Sequence, residues 1–198
     1  MIILGVDPGT LIAGYGVIDV PDGRQGRNGK TISLLDVGVI KNLSAISMPL
    51  RLKKIYSTLS AVIERFHPDE FVIETAFYSK NAQSALKIGQ ARGVSILAGV
   101  NFEIPVTEYS PREIKKAVTG KGAASKEQVQ YMMMSLLKLK AKPKHFDSTD
   151  ALAIAVCHAF KISSPRAGFL PKRPRASKDW KSYIASRPER VVRFGRNR

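Results

Sequence analysis

Four carboxylates, Asp7, Glu74, Asp147 and Asp150, are the residues in this chain whose types and settings suggest chemistry. They sit in the strings ILGVDPGT, FVIETAFYSKNAQSALKIGQARG and FDSTDALAIAV, each acid at the end of an apolar strand or in the first turn of an apolar helix. The chain around them carries a formal charge of +16. Acids kept at such points in a strongly basic protein suit the holding of divalent metal beside a polyanion. Two carboxylates about 5 Å apart repel by roughly 3 kcal/mol at an effective dielectric of about 20. Four brought together therefore require protonation or cations. Hard oxygen ligands with room for water suit Mg²⁺, and a pair of Mg²⁺ ions suits in-line attack on a phosphodiester.

Taken singly, each acid has a plainer reading. Asp7 begins Asp-Pro-Gly, a common turn in which Asp bonds its own backbone. Glu74 follows Phe71-Val72-Ile73 and reads as a solvated strand end. Asp147 and Asp150 resemble a capping box and suit the dipole at a helix start. The i, i+3 spacing also puts both on one face of the first turn, so a cap and a metal ligand are compatible there.

The elements that must position these acids follow from periodicity and turn residues. Residues 2–7, 13–20 and 31–41 read as three strands, the second link being the polar, Gly-rich tip PDGRQGRNGK. A helix over 47–66 carries Leu52, Ile55, Leu59, Val62, Ile63 and Phe66 on one face. Then come a short strand at 71–74, a helix at 81–100, a strand at 104–109, helices at 111–118 and 125–138, and a last helix from Asp147 to about Ile162. Ser110-Pro111 supplies a helix start. Three strands followed by alternating helix and strand give an α/β fold, with a mixed sheet of five strands flanked by helices. In that fold Asp7 ends the central strand, Glu74 ends a parallel neighbour, and the last helix packs across both.

Composition narrows the class. At 198 residues with 44% apolar content the chain can bury one full core. Its excess of 32 Lys and Arg over 16 Asp and Glu points to nucleic acid or an anionic surface. No apolar run approaches the roughly 20 residues of a membrane span, and MIILGVDPGT reads as a first strand rather than a signal peptide. The single cysteine, Cys157, has no internal disulfide partner, and a reducing cytoplasm is the expected setting. Residues 163–198 carry eleven Lys and Arg against Asp179 and Glu189, a net of +9 that leaves +7 of the +16 for residues 1–162. The expected organisation is one domain over 1–162 and a basic tail over 163–198, extended or folding on a partner.

GVDPGT followed by GYGV, the block ETAFYSKNAQSALKIGQARGV and the closing DSTDALAIAVCHA resemble the RuvC family of Holliday-junction resolvases, in the ribonuclease H-like superfamily. The likeness runs from Ile2 to about Ala159, and the residues after Ser163 match no part of the family pattern. The resemblance implies a ribonuclease H-like fold and a metal-dependent endonuclease acting as a homodimer. Such an enzyme nicks two strands of a four-way junction and leaves 5′-phosphate and 3′-hydroxyl ends. It also implies contact with the RuvAB branch-migration complex. By motif position Asp7, Glu74, Asp147 and Asp150 match the family's metal-binding acids, serving two Mg²⁺ per site. Phe77 matches an aromatic at the junction centre, and Lys115 and Lys126 match basic positions near the scissile phosphate. The plain reading of Phe77 is a core ring, and that of each lysine a solvated helix residue. The helix at 81–100 packs on its own sheet and, by the resemblance, supplies a two-fold dimer contact through its other face.

Other functions stay open at this point. GVDPGT also resembles the phosphate loop of actin-like phosphotransferases, but residues beyond 162 cannot form their second lobe, and no GxxxxGK[ST] loop occurs. A non-catalytic junction-binding protein, with the acids as caps and turns, and a general nuclease of the same superfamily are the remaining alternatives.

Overall fold

A computed structural model of the chain describes residues 1–21, 31–75 and 82–163. The order is β1 (Ile2–Asp7), β2 (Ile12–Asp19), β3 (Ser33–Lys41), α1 (Met48–Phe66), β4 (Glu70–Glu74), α2 (Ala82–Asn101), β5 (Val106–Tyr109), α3 (Pro111–Thr119), α4 (Lys126–Leu136) and α5 (Phe146–Ser163). The strands form a single five-stranded sheet in the order β3-β2-β1-β4-β5. β1 pairs antiparallel with β2 and parallel with β4, and β4 pairs parallel with β5, so the sheet is mixed as the sequence implies. Boundaries differ from the sequence reading by one or two residues. β3 and β5 each start two residues later, and α4 stops two residues early at Leu136, with Lys138 just beyond it in a left-handed conformation (φ 50°). The hairpin tip at 22–30, Phe77 and the tail beyond Ser163 fall outside the described residues.

Alternation along the strands divides the core into two layers. Leu4, Val6, Val17, Phe71 and Ile73 face α1 and α2. Ile3, Ile18 and Val72 face α3, α4 and α5. α5 is apolar nearly all round, with eleven buried residues from Ser148 to Ala159, as expected of a helix enclosed by sheet and helices.

Glycine sets how close α5 lies. A Cβ at Gly5 would stand 2.3 Å from the Ala151 carbonyl oxygen, and one at Gly14 would stand 1.9 Å from that of Asp147. The helix backbone thus rests directly on β1 and β2. Since Gly14 is the register partner of Asp7, this contact fixes the first turn of α5 beside the end of β1.

Candidate metal-binding nuclease site

Parallel pairing brings the first two acids together. Val6 is level with Ile73, so Asp7 and Glu74 each stand one residue beyond that pair, on neighbouring strands. Both side chains point to the α5 side of the sheet, as Ile3 and Val72 do. α5 delivers Asp147 and Asp150 from its first turns, held there by the glycine contacts. Asp7, Glu74 and Asp150 line one pocket of about 290 Å³ with Lys115, Lys126, Pro111, Ile114 and Val129. Asp147 stands outside its wall, yet its charge acts on Asp7.

Two capped helices bring the cations. Pro111 starts α3 after a Ser110–Glu113 capping box, and a Ser125–Gln128 box starts α4, so Lys126 is the first residue of that helix. Lys126 Nζ donates to Asp150 Oδ2 at 2.8 Å. Of the adjacent Lys115 and Lys116, only Lys115 lines the acid pocket. His145, two residues ahead of Asp147, is half-buried, and its carbonyl accepts from Ser148 Oγ at 2.7 Å.

The electrostatics reflect this crowding. Burial, then Glu74, Asp150 and Asp147, push the Asp7 carboxyl well above its usual range against a smaller pull from Lys126. Burial, then Asp150, raise Glu74 to about 7, opposed by Lys126 and Lys115. For Lys126, burial works against the charge, but the hydrogen bond to Asp150 and the pull of Asp150, Asp7 and Asp147 outweigh it and raise its pKa. The capping reading of Asp147 and Asp150 finds no support: among the described residues no backbone amide donates to either carboxylate, and Asp150 is engaged by Lys126 instead.

The donor set fits a hard divalent cation in chemistry: all-oxygen ligands, a polar pocket between them, and acids whose mutual repulsion a cation would relieve. Among the described residues no three His, Cys, Asp or Glu side chains stand close enough together to share one ion as placed. The ammonium of Lys126 supplies part of the missing positive charge.

A family model for the crossover junction endodeoxyribonuclease RuvC matches residues 3–158. The chain belongs to the RuvC family. A RuvC from Chloroherpeton thalassium is 44% identical over 193 residues, 98% of this chain and 100% of that relative. One from Aliivibrio fischeri is 55% identical over 158 residues, 80% of this chain and 86% of the relative. Among solved structures, Thermus thermophilus RuvC in complex with a Holliday junction substrate is similar at a TM-score of 0.75 and 33% identity, covering 85% of this chain and 96% of that one. The ribonuclease H-like fold expected from the sequence is therefore correct. The alignment with the Chloroherpeton RuvC is also too long to end at Ser163. The tail, which lies outside the family's motifs, has a counterpart in that relative.

Two features of the site were missed from the sequence. Gly5 and Gly14 read as unremarkable strand residues until α5 is known to lie on them, although small residues in the two strands the last helix must cross were a readable signal. The second is a buried polar cluster on β4, β5 and α5, Glu70, Tyr109 and His158; His158 falls within the closing DSTDALAIAVCHA block, but nothing in that block ties it to Glu70 or Tyr109.

Proposed function

We propose that the chain resolves four-way DNA junctions by paired nicks, with Asp7, Glu74, Asp147 and Asp150 holding two Mg²⁺ per active site. The reading rests on one feature: three acids and two lysines from β1, β4, α3, α4 and α5 share a pocket at the C-terminal ends of two parallel strands. Bound divalent metal supplies activation of the attacking water and stabilisation of the departing 3′ oxygen. The chain's own groups do the rest. Asp7, level with Glu74 and flanked by the start of α5, is the best placed of the four to serve both ions. Lys115 and Lys126 hold the scissile phosphate against the acids as point charges. For Lys126 this means exchanging its hydrogen bond with Asp150 for one with the phosphate once the acids are neutralised.

The active unit is a homodimer, which presents two such sites with two-fold symmetry to the junction. α2 supports this, since its outer side leaves Leu86 65%, Leu97 50% and Val100 53% exposed, and Gly89 and Gly93 have no neighbour where a Cβ would stand. Residues 1–162 form the nuclease domain. Residues 163–198, with a net charge of +9, extend its grip on DNA phosphates. Phe77 stacks on bases at the junction centre, and the enzyme works in the cytoplasm with the RuvAB complex. No helix among the described residues is long and apolar enough to cross a membrane.

The test is a cleavage assay on a synthetic four-way junction beside a linear duplex of the same arms, in Mg²⁺, Ca²⁺ or chelator. Symmetric nicks in the junction in Mg²⁺ alone are expected, with Ca²⁺ supporting binding but little cutting. Equal cutting of the linear duplex would make the protein a general nuclease, and binding without cutting in Mg²⁺ would leave it a junction-binding protein.

A further inference from the structure

A second hollow adjoins the acid pocket. It is larger, about 950 Å³, and lies between α3 and the turn leading to α4. Pro111 and Lys115 line both, so the two meet along the first turns of α3. Arg112, Lys115, Lys116 and Lys121 line the larger one, and its single acid is Glu113. That carboxylate is already engaged, by Lys161 Nζ at 2.8 Å and by the Ser110 cap, and these interactions hold its pKa down to about 2. Among the described residues none of the four cations makes an ion pair.

The local backbone sets the positions from which these cations extend. Arg112, Lys115 and Lys116 fall at i, i+3 and i+4 and so share one face of α3. Gly120, at φ +77°, ends the helix in the left-handed conformation that turns the chain back. The Lys121 amide donates to Thr119 Oγ1 at 3.2 Å, and a Cβ at Gly122 would stand 2.8 Å from Arg112 Cγ, so the turn lies against the arginine stem. The result is a positive trough whose cations make no ion pair among the described residues, opening from the wall of the acid pocket.

We infer that this trough carries the sugar-phosphate backbone of the strand being cut, over the nucleotides next to the scissile phosphate, with Arg112, Lys116 and Lys121 as positioning residues. The inference rests on the nuclease reading above and adds the path of the strand to it. These residues read phosphates rather than bases, so they set grip and register without sequence preference. Lys115, at the shared wall, marks where the trough passes into the acid pocket.

The experiment measures junction binding by the full-length protein in Ca²⁺ across a salt series, with single-turnover cleavage in Mg²⁺. Lys116→Ala/Lys121→Ala is compared with Lys53→Ala/Lys54→Ala, two lysines of α1 on the opposite side of the sheet. Removing one phosphate-binding lysine should lower the salt slope by about 0.9, so the trough variant drops by roughly 2. It binds about tenfold or more weakly near physiological salt, while the α1 variant keeps both affinity and slope. Neutral methylphosphonate linkages beside the cut should weaken the wild type and leave the trough variant little changed. If the two double variants behave alike, or if the neutral linkages weaken both proteins equally, the strand does not run through the trough. The nuclease reading has its own controls in the same assay: it fails if the wild type does not cut in Mg²⁺ or if Asp7→Asn does.

Discussion

Glu70 and Glu74 lie four residues apart on β4, on the same side of the sheet and under the same helix, yet their surroundings are opposite. Glu70 is 6% exposed and sits at the closed end, with His158 Nε2 3.9 Å from its carboxylate. His158 Nδ1 is in turn hydrogen-bonded to the Tyr109 hydroxyl at 2.9 Å. Burial, then Cys157, Glu113 and Glu70, push that hydroxyl up to about 12, so it keeps its proton. Glu74 sits at the open end among further acids, and the lysine that acts on it most, Lys126, is bonded to Asp150. A buried acid supplied with partners serves the fold, because leaving it without them would cost several kcal/mol. Acids gathered without enough internal counter-charge are tolerated where an outside cation completes them.

The largest expected effect comes from removing one acid at the open end. Asp7→Asn should lower junction cleavage at least about a thousandfold, roughly 4 kcal/mol of transition-state stabilisation, while junction binding persists. It should also make the metal-free protein more stable, since one repelling charge is gone. Wild-type cleavage by purified Asp7→Asn would remove the distinction between the two ends of β4.

The helix that both clusters share offers a second way to break the comparison. Gly14→Ala drives a methyl group into the Asp147 carbonyl, where neither backbone can yield cheaply. The expected loss is on the order of 3 kcal/mol or more in stability, read by denaturant unfolding. Cleavage should fall beyond what unfolding explains, because the first turn of α5 moves away from Asp7. A variant as stable and active as the wild type would show that α5 does not depend on that contact for its position.

Acidity sharpens the contrast further. Glu74 titrates near 7 in the folded, metal-free protein against 4.5 as its ordinary value. Between those values the folded state keeps a proton that the unfolded state has lost. Stability is therefore fully present below about pH 4.5 and is lost as pH rises toward 7, by up to about 3 kcal/mol from this group. Asp7 is shifted in the same direction. Mg²⁺ should cancel the trend, raising the unfolding temperature more at about pH 7.5 than at about pH 5, since the ligands must lose protons to bind it. A metal-free protein whose stability is flat or rising over this range would mean that the acids are compensated from within.

Much of this was legible in the sequence, and what escaped has a physical reason. The strands, the five main helices and the convergence of Asp7, Glu74 and Asp150 follow from periodicity, turn residues and motif position. Lys126 could be assigned to the neighbourhood, but its bond to Asp150 could not be read without the Ser125 cap that aims it. The closeness of α5 to Gly5 and Gly14 is a property of two backbones that meet only after folding. The Glu70–His158–Tyr109 cluster joins residues up to 88 positions apart in the numbering, and although His158 lies in the DSTDALAIAVCHA block, no local pattern pairs it with the other two.

The smallest expected effect tests the closed end itself. Glu70→Gln keeps the shape of the side chain and removes its charge from beside His158. The amide can still hydrogen-bond, so the cost should be modest, about 1–3 kcal/mol from imperfectly matched donors and acceptors. Thermal unfolding at neutral pH would show it, whereas junction cleavage per folded molecule and its Mg²⁺ dependence should stay at wild-type values. A loss of cleavage like that of Asp7→Asn, with stability unchanged, would place Glu70 within the catalytic machinery. No boundary would then separate the two glutamates of β4, and the metal-binding acids would have to be sought along the whole strand.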